Sequence, residues 1–114
     1  METKEICPVA VVADIIGRKW VALIIRDLST AHRRFSVLQH SLEISPRVLS
    51  SRLQELESEG LLSREIFAEV PPRVEYSLTE KGRLLLPVIE EMRRVGREFI
   101  LALYGSTDFG CDNK

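Results

Sequence analysis

Only three residues separate two amphipathic patterns near the middle of this chain, and that spacing narrows what it can fold into. Phe35, Leu38 and Leu42 recur at helical intervals, and Ser45 with Pro46 then supplies an N-cap and a first turn. So short a connection forces the second helix to cross the first. The second helix is predicted from Pro46 to about Ser58, burying Leu49, Leu53 and Leu56 and ending at Gly60, a natural left-handed C-cap. Residues 61–69 and 73–78 follow as two short strands rich in β-branched and aromatic residues, with Val70, Pro71 and Pro72 between them. Prolines cannot donate ladder hydrogen bonds and fix their own φ, so this pair belongs at the tip of a hairpin. Crossed helices followed by a hairpin form the winged helix-turn-helix order, in which the second helix enters the DNA major groove.

The flanking segments are helical too. Cys7 followed by Pro8 opens a short helix through Ile16, which Gly17 ends, and a second apolar stripe runs over residues 20–28 through Trp20, Leu23, Ile24 and Leu28. Residues 29–34 read as a polar connection. After the hairpin, Thr79 caps a long helix to about Tyr104, with a bend or break expected at Pro87. The expected fold is mostly α with a small β-hairpin. Leu85, Val88, Met92, Val95, Phe99 and Leu103 line the long helix with more apolar surface than one small domain can cover. Joined with Val12 and Ile15 of the first helix, they predict a two-fold interface built on the N- and C-terminal helices. Such a dimer presents two recognition helices about 34–36 Å apart to a palindromic site.

At 114 residues, 45% hydrophobic and 29% charged, the chain has the makeup of one globular domain, taken as residues 1–105 with a flexible tail over 106–114. No run approaches the roughly 18 apolar residues of a membrane helix, and Met1 to Glu5 is polar, so a cytoplasmic protein without a membrane partner is expected. Cys7 and Cys111 are far apart and imply neither a metal site nor a structural disulfide, and nothing implies a cofactor. A net charge of −1 looks wrong for a nucleic-acid binder, since phosphate contacts need Lys or Arg. Its distribution answers the objection. Between residues 18 and 52, Arg18, Lys19, Arg26, Arg33, Arg34, Arg47 and Arg52 stand against Asp27 and Glu43 alone, seven minus two leaving +5. Over residues 53–69 five glutamates face the single Arg64.

With the leucines of the crossing helix inward, Arg47, Ser50, Ser51 and Gln54 fall on the opposite face, and Ser45 stands at its start. Arginine reads guanine bidentately, glutamine reads adenine, and serines suit bases or phosphates. Arg33 and Arg34 are placed for the DNA backbone, and Arg73, beside the hairpin tip, for phosphate or the minor groove. The plainer alternatives are a solvated helix face and a solvated tip arginine; the order of elements and the local charge favour double-stranded DNA as the partner. Cys7, at a helix N-terminus with Lys4 nearby and Glu5 opposing, is either a thiol of lowered pKa or an inert, partly buried one. An enzyme finds little support: the chain has no Gly-rich phosphate loop, metal-ligand cluster or nucleophile elbow, and His32 and His40 read as surface residues. A winged-helix module for protein association is the second alternative, distinguished by weak binding to every duplex independent of salt.

The chain resembles the HxlR-type family of bacterial helix-turn-helix regulators from residue 7 to about 105. The resemblance rests on Cys7-Pro8, Ile16-Gly17, Lys19-Trp20, Arg34-Phe35, Ile44-Ser45, Gly60-Leu61, and above all Val70-Pro71-Pro72-Arg73-Val74 followed by Tyr76, Leu78-Thr79 and Gly82. It implies a dimeric transcription factor without catalytic activity, and in some members a response to oxidants or electrophiles through a cysteine placed like Cys7. Two residues depart from the pattern: Arg18 stands where a glycine is usual, and Pro46-Arg47 replaces the usual polar pair opening the recognition helix. The tail with Cys111, a conceivable resolving cysteine, lies outside the resemblance.

Overall fold

The computed structural model describes residues 5–105; Lys4 and the predicted tail over 106–114, with Cys111, lie outside that range. Chain order is α1 (Pro8–Ile16), α2 (Val21–Leu28), β1 (Arg33–Arg34), α3 (Phe35–Leu42), α4 (Pro46–Ser58), β2 (Leu62–Phe67), β3 (Arg73–Leu78), α5 (Glu80–Arg83) and α6 (Leu86–Tyr104). Pro8 and Pro46 sit in the first turns of α1 and α4, where the absent N–H has no helical partner to lose. Ser45 caps α4, its Oγ accepting from the Val48 N–H at 3.3 Å, a contact worth about 1 kcal/mol. Gly60 follows with φ +77°, and the Leu61 N–H returns to the Leu56 carbonyl at 3.0 Å, closing the helix end.

The three strands form one antiparallel sheet in the order β1-β3-β2. β1 falls where a polar connection was expected. Arg33 stands opposite Tyr76 and Arg34 opposite Glu75, so two residues satisfy the free edge of β3 just before α3 begins. The wing is thereby fastened to the helix-turn-helix. The long helix expected from Thr79, with a bend or break at Pro87, is divided slightly earlier, at Leu84 and Leu85, ahead of Pro87, whose missing N–H and ring exclude a helical bond to the Arg83 carbonyl. Thr79 Oγ1 accepts from the Gly82 N–H and donates to the Gly60 carbonyl, joining α5 to the end of α4. At Gly82 a Cβ would lie 2.2 Å from the Leu61 carbonyl oxygen, a close approach that only glycine permits.

The core draws Val21, Ile24, Ile25 and Leu28 from α2, Leu38 and Leu42 from α3, and Leu49, Leu53 and Leu56 from α4. Leu61, Leu62 and Leu78 close it from the sheet, and Leu85 and Ile89 from the start of α6. Leu85 therefore departs from expectation. It was placed in the row of interface residues, yet it is 5% exposed within this chain's own core, because the break before α6 turns it inward. α1 contributes no buried residue and rests on the domain through half-buried Val12, Ile15 and Ile16.

Candidate nucleic-acid interface

The periodicity that buries Leu49, Leu53 and Leu56 leaves Arg47, Ser51 and Gln54 in solvent at spacings of four and three, one row along the outer face of α4. Ser50 stands beside that row and is half-buried; Ser45 is held as the helix cap but keeps an O–H to donate. Among the described residues no acid pairs with Arg47, which lies in the first turn, where the recognition helix meets base edges. Next to it Val48 is 37% exposed. Its methyls can contact a thymine methyl, a contribution that polar patterning overlooked because valine reads as core.

The cations of the +5 segment divide sharply. Arg26 pairs with Asp27, and Arg33, turned inward by strand alternation, donates from Nε to the Asp27 carbonyl at 3.3 Å. Arg18 and Arg52 are tied to carboxylates of α4: Arg18 Nη1 lies 2.7 Å from both Glu55 Oε1 and Glu59 Oε1, and Arg52 Nη1 3.1 Å from Glu55 Oε2. Two of the acids that follow residue 53 in sequence, Glu55 and Glu59, thus fold back onto the basic segment before it. Lys19, over the Trp20 ring at 5.6 Å, with Arg34 and Arg47, remains without an acid partner among the described residues. Arg73 differs from expectation in the same way. Its Nη1 lies 2.8 Å from Glu69 Oε2, its Nε forms an ion pair at 3.0 Å with Glu75 Oε2 outside hydrogen-bond angle, and its guanidinium stacks on the Phe67 ring at 4.1 Å. It braces the hairpin. Exposed Arg34 and Arg47 are the predicted contacts whose charge faces solvent uncompensated.

The fold, this row and these cations meet a known pattern. The HxlR-like helix-turn-helix family model matches residues 15–103. The chain belongs to the HxlR-like helix-turn-helix family. Among similar proteins, the HTH-type transcriptional regulator YvaP of Bacillus subtilis is 43% identical over 102 residues, 88% of this chain and 94% of that protein. The redox regulator HypR in its reduced form superposes with a TM-score of 0.79 at 36% identity, covering 88% of this chain and all of the other. The reduced transcriptional regulator YodB of B. subtilis gives 0.72 at 34% identity, covering 83% and 95%. The chain is thus a winged helix-turn-helix DNA-binding transcriptional regulator.

In this HxlR-like chain Cys7 is exposed and occupies the N-cap of α1, with Pro8 at the first helical position. Beside it an apolar groove lined by Pro8, Val12, Ile16, Val88 and Met92 runs between α1 and α6. Val95, Phe99 and Leu103 continue the row along α6, with Phe99 64% and Leu103 70% exposed. Val12, Ile15 and Val88 are half-buried, forming the floor from which the exposed side chains rise. No helix among the described residues is long and apolar enough to cross a membrane.

Proposed function

We propose that this regulator binds palindromic operator DNA as a homodimer in the cytoplasm and has no catalytic activity. Arg47, Ser51 and Gln54 read base edges in the major groove, with Ser50 at the margin of the row and Ser45 donating to a phosphate from the helix start. Arg34 neutralises backbone phosphate, while Arg33 and Arg73 orient the parts of the scaffold that flank the duplex. The observation that carries this reading is the exposed, acid-free row on α4 with Arg47 at its head. One DNA-binding domain extends to about residue 105, and its second copy covers Val12, Ile15, Val88, Met92, Val95, Phe99 and Leu103. Duplicate apolar rows on α1 and α6, too exposed for a chain that works alone, support the dimer.

Cys7 is the sensor in this reading. Its exposure at the start of α1 leaves the sulfur open to an oxidant, and the similar HypR is described as a redox regulator. Oxidation there shifts α1 within the interface and alters operator affinity. Selection of genomic fragments by the purified protein at near-physiological salt tests the whole. A palindrome is expected, with Arg47→Ala weakening it by about 1–3 kcal/mol and Cys7→Ser binding like wild type but no longer answering a mild oxidant. Recovery of no enriched fragment at any salt would favour a protein-association module instead.

A further inference from the structure

The departure at Arg18 has a structural counterpart. Its side chain is one-fifth exposed, and every donor is engaged. Nε donates to the Asp14 carbonyl at 3.1 Å and Nη2 lies 3.4 Å from Asp14 Oδ2, both in the last turn of α1. Nη1 reaches Glu55 Oε1 and Glu59 Oε1 at 2.7 Å each, and Nη2 reaches Glu59 Oε2 at 2.9 Å, at the far end of α4. Arg52 reinforces the joint, donating to the Lys19 carbonyl at 3.1 Å and to Glu55 Oε2 at 3.1 Å. Glu59 is held below the usual carboxylate range, above all by its hydrogen bond with Arg18.

The geometry points to Arg18 as a positioning residue that sets the angle between α1 and the recognition helix, and through it the spacing of the two recognition helices in the dimer. The apolar contacts of α1 are non-directional and, with no residue of that helix buried, allow it to slide. A planar guanidinium gripping two carboxylates across the gap is directional. α1 also carries exposed Val9 and Val11 beside the α1–α6 groove, the face assigned to the second copy. The partner therefore holds α1, and Arg18 transmits that hold to α4 without itself touching DNA. The inference rests on the dimeric reading above.

The test compares a duplex carrying the selected palindrome with one in which half of it is scrambled, using the full chain and the variants Arg18→Met and Glu59→Gln. Wild type is expected to prefer the whole site. Both variants narrow that preference about tenfold, with half-site affinity and the salt slope unchanged. A variant preference equal to that of wild type overturns the role. So does a parallel fall in half-site affinity and salt slope, which marks a direct phosphate contact. Should Arg18→Met fail to fold, Glu59→Gln, which leaves the Arg18 contacts to Asp14 and Glu55 in place, decides alone. A wild type indifferent to the second half-site overturns the dimeric reading, and the role of Arg18 with it.

Discussion

Alternation along β1 turns the Arg33 guanidinium onto the Asp27 carbonyl and leaves that of Arg34 in solvent. Two adjacent arginines therefore have separable roles. Arg34→Ala is expected to weaken binding to every duplex alike, with the slope of log affinity against log salt falling by about one, because one phosphate contact and its released counterion are lost. Arg33→Ala is expected to leave that slope unchanged and to lower the thermal midpoint, since its hydrogen bond lies within the fold. Titrations of both variants at several salt concentrations separate the two. Arg73 belongs with Arg33: Glu69, Glu75 and Phe67 already surround it, and its substitution should loosen the hairpin before it alters counterion release.

The joint between α1 and α4 carries a pH signature. Glu59 has a lower pKa folded than unfolded, so the folded state binds fewer protons in mild acid. Its contribution to stability is complete above the unfolded value of about 4.3 and is lost as pH falls through the lower folded value. The gap in thermal midpoint between wild type and Glu59→Gln should be present near neutral pH and should close well below the ordinary carboxylate range. The sequence already marks where these helices begin, because Pro8, Ser45 and Pro46 act through local backbone chemistry. β1 escapes such reading because two arginines display no periodicity, and they become a strand only by lying against β3. Pro87 signals a break but not that Leu84 and Leu85 would carry it. The pairing of Arg18 with Glu55 and Glu59 spans 37 and 41 residues, a separation across which linear charge counts show only a sign change. The outward row on α4 was legible for the opposite reason: one helix, one period and one buried face determine it.

For the molecule as a whole, the apolar row on α6 should determine assembly. Phe99→Asp places a charge on a side chain that is 64% exposed in the single chain, so the domain should remain folded while the dimer separates. Light scattering after size exclusion is expected to report a monomer. Its affinity for a half-site should match that of wild type, and its advantage on the whole palindrome should vanish; a Phe99→Asp dimer would place the interface elsewhere. The row proposed to meet DNA, Arg47, Ser51 and Gln54, shares no residue with the row proposed to meet a second copy, Met92, Val95, Phe99 and Leu103. A gene duplication can therefore diverge along either axis alone. Drift on α4 retargets a regulator that still assembles with its sister, whereas drift on α6 insulates two sisters that still recognise the same promoter.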